Sequence, residues 1–429
     1  MTTARRTFQS FRYRNYRLFF AGQLTSQVGS WMQRIALAWY ILELTKSAAY
    51  PHGSPIAVGW MAFAQFLPFT LFGLFAGVIT DRFDARRLVL WTQTGQTLSA
   101  IVLTWIAFSG SAQPWMLYTI AFVNGSILVL DAPSRQQLTY RMVGREALPN
   151  AIALNSSLFN ASRVLGPAAA GFVLVVGGPS VCFLVNAISF VAVLGGLLMM
   201  RTSEFFPLEE FARPKFWAGT KEGLAYVRTQ PRMLAVLGLT LLLSTFAFNF
   251  NVTLPVLAKI TLHGNATVFG FLSAVFGAGA LAGALIVATR AKASARVLLI
   301  GGGVFSLAEL LLAPATGVLL AGLLLFGVGA GFTAWSANSQ ATLQLAAPDR
   351  LRGRIIGLYF YAFMGTGPFA GLFAGWLCAR GGTELAFAVG GGVAVVGVVA
   401  TALRLGWTPR LNRLGATREY TPSIPEGRI

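Results

Sequence analysis

The stretch that decides the fold is Gly77-Val78-Ile79-Thr80-Asp81-Arg82-Phe83-Asp84-Ala85-Arg86-Arg87. It separates two apolar runs, 56–79 and 88–108, each long enough to cross a bilayer core of about 30 Å. Three arginines and two aspartates in so short a connection would be costly in hydrocarbon, so we expect the turn at the water boundary. The sequence therefore predicts a helical hairpin that turns on one face of a membrane.

The composition extends this prediction to the whole chain. Of the 429 residues, 55% are hydrophobic and 11% are charged, and few soluble folds could bury so much apolar surface. Twelve apolar segments follow one another, near 18–44, 56–79, 88–108, 115–134, 151–176, 181–200, 233–257, 268–289, 297–313, 318–338, 355–379 and 386–405. We therefore predict an all-α membrane protein with twelve transmembrane helices.

The basic residues predict how the chain is oriented. The formal net charge is +19, and 28 of the 33 lysines and arginines lie near the termini or in alternate connections between the apolar segments. Since cytoplasmic loops are enriched in lysine and arginine, we expect a multi-pass protein of the cytoplasmic membrane with both termini in the cytoplasm. The expected partners are the lipid bilayer and a small molecule, not nucleic acid, and a monomer is expected. Cys182 and Cys378 lie in apolar runs, which favours buried side chains over a disulfide or a metal site.

The longest connection divides the chain into two halves. Residues 201–232 are rich in charge and proline, and they are predicted to form a linker with a short amphipathic helix at 216–227 on the membrane surface. The halves share a pattern, because Gly166-Pro167 in the fifth segment recurs as Gly367-Pro368 in the eleventh. The predicted organisation is a cytoplasmic N-terminus at 1–17, an N-terminal half at 18–200, the cytoplasmic linker, a C-terminal half at 233–405 and a cytoplasmic tail at 406–429.

The stretch 77–87 resembles the signature loop of the major facilitator superfamily, in which a glycine, three residues and Asp-Arg precede two basic residues. Asp84-Ala85 stands where that signature has a single glycine. This form resembles the branch that contains the enterobactin exporter and related multidrug efflux permeases, as do residues 131–135, 155–157 and 163–167. The resemblance implies two pseudo-symmetric six-helix bundles with a substrate path between them near the bilayer midplane.

The resemblance also implies a gate at the cytoplasmic face. In the family the loop aspartate caps the start of the eleventh span, and a loop arginine pairs with an acid at the inner end of the fourth. By resemblance, Asp81 would cap the helix near Arg354 and Gly357. Arg86 would pair with Asp131, which would close this face while the other one is open. The gate and motif residues are Gly77, Asp81, Arg82, Arg86, Arg87, Asp131, Arg135, Arg163, Gly166, Pro167, Gly367 and Pro368. The alternatives are that the charges only set the topology and that the Gly-Pro elements only kink their helices.

Polar and aromatic residues of the predicted pore helices are candidates for substrate binding. Gln23, Gln27 and Arg34 share one face of the first span at about 100° per residue, and polar groups inside a membrane should face protein or water. The full set of candidates is Gln23, Gln27, Arg34, Asn124, Asn160, Phe248, Asn251, Trp335 and Asn338. The alternative is that these residues only form contacts between helices. Arg34 and Arg163, with few buried acids to balance them, favour an anionic or polyphenolic substrate.

The resemblance implies a secondary active transporter and not an enzyme. We expect it to export small amphipathic or drug-like compounds, a siderophore among the candidates, by alternating access as an antiporter. An uptake permease or a lysophospholipid flippase of the same fold, and more distantly a membrane-embedded enzyme or receptor, are the alternatives. No cofactor or metal is predicted, and a proton gradient is expected to supply the energy. The coupling residue is not identified, because Asp131 has a structural role in this scheme and Glu309 lies near the outer end of a helix that is peripheral in the family.

Overall fold

A computed structural model describes residues 8–80, 82–207, 216–288, 294–348 and 351–405. Helices form nearly all of this part of the chain, and no strand occurs in it. The predicted all-helical class is therefore confirmed. Asp81, residues 1–7 and the tail 406–429 lie outside the described residues, so the cap that Asp81 was expected to form on the eleventh span stays a prediction.

Twelve long helical segments, α1 to α12, follow one another through the described residues. In the first half they are α1 at Arg14–Leu44, α2 at Pro55–Phe72 with its continuations Gly73–Phe75 and Ala76–Thr80, α3 at Ala85–Phe108, and α4, α5 and α6 at 114–143, 145–177 and 179–198 within Pro114–Leu198. In the second half they are α7 at Pro231–Phe246 with its continuations Phe250–Val256 and Leu257–Thr261, α8 at Ala266–Ala288, α9 at Ala295–Leu312, α10 at Val318–Ala346, α11 at Arg352–Met364 with 367–380 of Gly367–Arg404, and α12 at 383–404. Short 3-10 turns at Gln9–Arg12 and Thr202–Glu204 and a linker helix at Phe216–Thr229 are the remaining elements described.

Glycines divide the two longest helical stretches. Pro114–Leu198 would extend about 130 Å as one helix at 1.5 Å per residue, several times the thickness of a bilayer core. It breaks at Gly144 (φ 68°) and Gly178 (φ 71°), and Gly367–Arg404 breaks at Gly382 (φ 65°). Because a left-handed φ strains residues that have a Cβ atom, these glycines permit the chain to leave one helix and begin the next.

The helices agree with the apolar segments of the sequence. Seven continuous helical stretches of the described residues are long and apolar enough to cross a membrane, and together they include every segment except α1 and α3. The linker helix begins at Phe216, as predicted. Helices α4 and α10 were predicted to end at 134 and 338, but they end at 143 and at Ala346. Each helix continues through the polar residues that follow its apolar segment. That all twelve segments cross a membrane stays a prediction.

The two halves meet along two helix pairs. Gly171 of α5 lies so close to Gly270 of α8 that a Cβ atom on Gly270 would stand 2.5 Å from the Gly171 Cα. Gly59 of α2 and Gly375 of α11 approach in the same way, with 3.0 Å from a Cβ on Gly375 to the Gly59 Cα. Helices α2 and α8 are the second of their halves and α5 and α11 are the fifth, so exchanging the halves exchanges the two pairs. This is the arrangement expected of pseudo-symmetric bundles.

The halves are also joined at one end of the bundle. We call the end where α1 begins and α2 ends the basic end, and the other the opposite end. At the opposite end, Glu43 of α1 and Lys259 of α7 form an ion pair with 2.5 Å between Oε1 and Nζ. The rings of His52 and His263, in the connections after α1 and α7, lie 5.5 Å apart between centroids. The structure is therefore closed at the opposite end.

Replacing Gly270 with valine is expected to lower the free energy of unfolding by about 1–3 kcal/mol, since added methyl groups in a close-packed contact push backbones apart. The variant should also populate a state open at the opposite end, because α5 and α8 can no longer close there. Gly303→Val is a matched control, since a Cβ at Gly303 meets no atom within 4 Å. Denaturant titrations in detergent micelles measure the difference, and equal stability of the two variants would contradict the prediction.

Candidate functional site

Two arginines meet aromatic rings between the halves. The Cζ atom of Arg34 on α1 lies 4.5 Å from the centroid of the Trp31 ring, and that of Arg163 on α5 lies 6.0 Å from the same centroid. Arg163 also reaches across to the second half, where its Cζ lies 4.9 Å from the ring of Phe276 and 5.3 Å from that of Phe332. These contacts make Arg163 a direct link between α5, α8 and α10.

Neither arginine has a carboxylate partner within the part of the chain that the structure describes. The Nε–H group of Arg163 is buried and donates no hydrogen bond there. Ring faces attract a guanidinium by about 0.5–2 kcal/mol, which is less than the cost of removing a cation from water. An anionic group placed between Arg34 and Arg163 would therefore be bound favourably.

An aromatic cluster forms the wall of this site in the second half. Phe248 of α7 stacks on Phe332 of α10, with ring centroids 4.1 Å apart and planes 8° from parallel. Trp335 is fully buried, and its Nε1 has no hydrogen-bond partner in the described structure. The members of the aromatic cluster are Phe248, Phe250, Phe276, Phe305, Phe332, Trp335 and Phe363. Because Phe332 contacts both Arg163 and Phe248, the cluster and the arginines form one continuous network of contacts.

A break in α7 positions Phe248. The helix ends at Phe246 and resumes at Phe250, and the backbone N–H groups of Ala247 and Phe248 both donate to the carbonyl oxygen of Leu243. The side chain of Asn249 donates to the Thr245 carbonyl at 3.0 Å. Neither proline nor glycine occurs between Phe246 and Phe250, so no local sequence signal predicted this break.

The other predicted binding residues do not all gather at this site. Gln23 is buried and accepts a hydrogen bond from Arg135 near the basic end. Asn338 is buried as well, accepts from the Ser294 backbone at 3.2 Å and donates to the Ala334 carbonyl at 2.9 Å. These partners favour the alternative of contacts between helices for both amides. Asn160 donates to the Ser156 carbonyl of its own helix at 2.9 Å, and the described residues show no side-chain hydrogen bond for Gln27, Asn124 or Asn251.

Asp131 is the centre of a second buried group near the basic end. Its carboxylate accepts hydrogen bonds from Thr92 Oγ1 at 2.6 Å and Gln93 Nε2 at 3.0 Å, and it forms an ion pair with Arg135 one turn later on α4. Arg135 in turn donates to Gln23 of α1. We call these five residues the Asp131 cluster. It joins α1, α3 and α4 within the first half.

The pair between Arg86 and Asp131 was expected for the state in which the basic end is closed, and it is not formed in this structure, in which the opposite end is closed. The Arg86 guanidinium donates to the carbonyl of Leu197 at 2.8 and 3.0 Å and to that of Leu198 at 3.3 Å. Those carbonyls belong to the last turn of α6, where the N–H groups of a following helical turn are missing and the helix dipole favours a cation. Asp131 meanwhile takes its arginine from its own helix.

Asp84, the residue that departs from the superfamily signature, begins α3. Its Oδ1 accepts from the Arg87 backbone N–H at 3.0 Å, which makes it the N-cap, and its other oxygen pairs with Arg141 of α4. Burial alone would raise the pKa of Asp84, but these hydrogen bonds outweigh it and hold the pKa below its ordinary value. The stability from Asp84 is thus present at neutral pH and is lost only as the pH falls through that lowered value.

The start of α11 contacts the linker helix. Arg354, near which Asp81 was expected to cap, pairs with Glu222, and a Cβ on Gly223 would stand 3.2 Å from the Arg354 Cβ. The Gly-Pro elements lie deeper, where a Cβ on Gly166 would stand 2.3 Å from the Trp31 Cβ and one on Gly367 would stand 2.9 Å from the Phe66 ring. Gly166 therefore lets α5 approach α1 beside the two arginines.

The chain resembles known membrane transporters over nearly its whole length. The model of the Transmembrane secretion effector family matches residues 5–416. The staphyloferrin A transporter of Staphylococcus aureus is 26% identical over 63% of this chain and 66% of its own length. The macrolide efflux protein A of Streptococcus pyogenes is 24% identical over 68% and 72% of the two chains, and the multidrug efflux pump Tap of Mycolicibacterium fortuitum is 24% identical over 91% and 95%.

Solved structures share the fold. A POT family transporter in complex with a thioalcohol conjugated peptide matches with a TM-score of 0.71 at 13% identity, over 92% of this chain and 96% of that one. The nucleoside transporter NupG matches with a TM-score of 0.69 at 12% identity, over 92% and 99%. With the family match over nearly the whole chain, these results show that the protein belongs to the Transmembrane secretion effector family, within the major facilitator superfamily of membrane transporters.

Proposed function

We propose that this transporter exports small amphipathic compounds that carry an anionic or polyphenolic group, from the cytoplasm to the exterior, in exchange for protons. The observation that supports this function is the position of Arg34 and Arg163 between the halves, on aromatic rings and without a carboxylate partner in the described structure. A negative group on the substrate would supply that partner. The aromatic cluster would cover the apolar part of the same molecule.

The relatives support efflux of compounds of this general kind. Their names describe transport of staphyloferrin A, efflux of macrolides and efflux of multiple drugs. Two of the three are named for efflux, which favours export over uptake. A site made of ring faces and two cations can also bind ligands of different shape, since stacking and charge interactions depend little on the exact shape of the ligand.

Export by alternating access requires a second state that is open at the opposite end. In this proposal the basic end faces the cytoplasm, and the ion pair between Glu43 and Lys259 opens when substrate leaves. The loop residues Gly77, Asp81, Arg82 and Arg87, together with the Asp131 cluster, close the basic end in that second state. Arg86 stays on the carbonyls of α6 and holds the loop against the first half.

Replacing Arg163 with alanine is expected to reduce export of an anionic compound about tenfold, since a charge-assisted hydrogen bond contributes about 1.5–3 kcal/mol. Export of a cation of the same shape should change much less. Fluorescein and rhodamine 123, an anionic and a cationic xanthene dye that both carry a phenyl substituent on the three-ring core, provide the comparison. Their accumulation is measured in cells that lack their own pumps and produce either the native chain or the variant.

Two further variants make this experiment specific. Arg163→Lys keeps the charge and should retain part of the anion export. Arg380→Ala removes an exposed arginine that lies over Trp376, with 5.4 Å from Cζ to the ring centroid, and should leave both dyes unaffected. Equal losses for the two dyes in Arg163→Ala would remove the anion preference, and a native chain that exports neither dye would argue against the proposed function.

A further inference from the structure

A carboxyl group lies buried behind the aromatic cluster. Glu309 of α9 is 2% exposed, its Oε2 has no hydrogen-bond partner, and it takes part in no ion pair among the described residues. It lies one helical turn beyond Phe305, a member of the aromatic cluster, and so shares a helix face with it. The sequence placed Glu309 near the end of a peripheral helix, and only the structure shows that it faces the interior.

No opposite charge is near enough to balance a Glu309 carboxylate. Helix α9 packs against α10 and α12. The sequence of α10 contains no titratable residue, and α12 contains only Glu384 and Arg404. Glu384 is exposed and lies about 9 Å along the axis from Gly390, which faces Glu309. The charged residues of α7 are Arg232 and Lys259, and each lies about 20 Å along the helix from Ala247. Arg296 of α9 lies about 20 Å along its helix from Glu309.

The carboxyl group lies against the break in α7. A Cβ on Gly390 of α12 would stand 2.9 Å from Glu309 Oε1, 2.7 Å from the Phe246 carbonyl oxygen and 3.4 Å from the Ala247 Cα. The absence of a side chain at Gly390 thus leaves room for the carboxyl and for the backbone where α7 is interrupted. Two residues farther on, Phe248 stacks on Phe332, which contacts Arg163.

We propose that Glu309 is the site at which the coupling proton binds, and that its charge state sets the conformation of α7 at Phe246 to Phe250; this inference rests on the proposed proton-driven export. The protonated carboxyl is neutral, tolerates the dry pocket and can donate a hydrogen bond to a backbone carbonyl. The carboxylate formed when the proton leaves repels the Phe246 carbonyl oxygen and requires water or a new partner. One proton is bound or released per carboxyl, and no electron is transferred.

A change in the conformation of α7 at this break would directly affect the substrate site. Movement of the broken segment of α7 carries Phe248 with it, and Phe248 covers the ring of Phe332 that faces Arg163. Protonation at Glu309 therefore favours the present packing of the aromatic cluster, and deprotonation favours its rearrangement. Proton binding and substrate binding then affect each other by the same free energy, as linkage requires.

Glu309→Gln tests this inference because glutamine imitates the neutral acid. Spin labels at Tyr50 and Thr267, two exposed positions at the opposite end on different halves, report the distance between the halves in the full chain with Cys182 and Cys378 replaced by alanine. The distance in the parent chain is expected to change as the pH is raised and the Glu309 proton is released. Glu309→Gln should show the low-pH distance throughout. A Glu309→Gln chain that responds to pH as the parent does would overturn the inference.

Other groups that change charge are controlled separately. Two controls are expected to keep the pH response of the parent, namely Glu384→Gln and the double variant His52→Gln with His263→Gln. The inference would also be overturned if either control lost the pH response while Glu309→Gln kept it. If Glu309→Gln is too unstable to be spin-labelled, Glu309→Asp replaces it. The distance between the labels in Glu309→Asp must then change at a pH different from that in the parent. Infrared difference spectra give a second readout, since the parent should show a carboxylic acid band that disappears in Glu309→Gln.

Transport in proteoliposomes separates this inference from the proposed function. Fluorescein export driven by an imposed proton gradient should be lost in Glu309→Gln, while exchange of labelled for unlabelled fluorescein without a gradient should remain. Gradient-driven export of equal rate in parent and variant would reject Glu309 as the proton site and leave the exporter intact. A parent that moves no dye, but whose pH response disappears in Glu309→Gln, would reject the proposed function and support Glu309 as the proton site.

Discussion

Replacing Asp131 with alanine is expected to lower the free energy of unfolding by about 3–5 kcal/mol, as for other buried ion pairs that lose one partner. Asp131 is 2% exposed, and it is the acceptor for Thr92, Gln93 and Arg135. Without it the Arg135 guanidinium keeps Gln23 as its described partner on another helix. The Gln93 amide loses its acceptor, while the Thr92 hydroxyl keeps the Val89 carbonyl at 3.0 Å. The expected loss of stability has two causes, an unpaired cation and an unsatisfied polar group, and both are costly when they are buried.

Two variants decide whether burial causes this effect. Asp131→Ala combined with Arg135→Met removes both charges and should be more stable than Asp131→Ala alone, because no unpaired cation remains. Asp84→Ala removes the aspartate at the start of α3, which is 38% exposed, and should cost about 1 kcal/mol through the lost N-cap. Denaturant titrations in mixed micelles give the three values. Similar losses for Asp131→Ala and Asp84→Ala would contradict a special role for the buried cluster.

The Asp131 cluster shows what the sequence could and could not predict. An acid inside an apolar segment had to find a polar partner, so a buried interaction at Asp131 was predictable from solvation alone. The identity of the partner was not. Arg86 and Arg135 both lie near the basic end. Asp131 pairs with Arg135 while Arg86 donates to the last carbonyls of α6, and no pattern in residues 77–87 predicts that Arg86 has these carbonyls as partners.

The fold itself was largely predictable, because a bilayer requires long apolar helices and few other structures satisfy the backbone there. The exceptions lie where tertiary contacts override local signals. Helix α7 breaks between Phe246 and Phe250 without proline or glycine. The contacts of Arg163 with Phe276 and Phe332 join residues more than a hundred positions apart. Helical spacing could place Arg163 on an inward face, but it could not identify the rings that receive it.

Replacing Lys259 with methionine is expected to shift the transporter toward the state open at the opposite end by about tenfold or more. Lys259 is 6% exposed, lies 2.5 Å from Glu43 Oε1 on the other half and is 4.5 Å from the Trp39 ring centroid. Hydrogen bonds to charged groups contribute about 1.5–3 kcal/mol, and each 1.4 kcal/mol changes a population ratio about tenfold. Since the pair exists only while the halves are closed, its whole contribution acts on that equilibrium.

A cysteine at Phe269 measures the shift, because that residue is 1% exposed and stacks on Trp39 across the halves. Its alkylation should be at least tenfold faster with Lys259→Met. Lys46→Met is a matched control, since Lys46 also lies 2.5 Å from a Glu43 oxygen but is half exposed and belongs to the same half as Glu43. Equal alkylation rates in the two variants would show that charge at Glu43, and not the contact between halves, holds the opposite end closed. A faster rate with Lys259→Met alone would mean that closure there depends on a bond that each transport cycle must break.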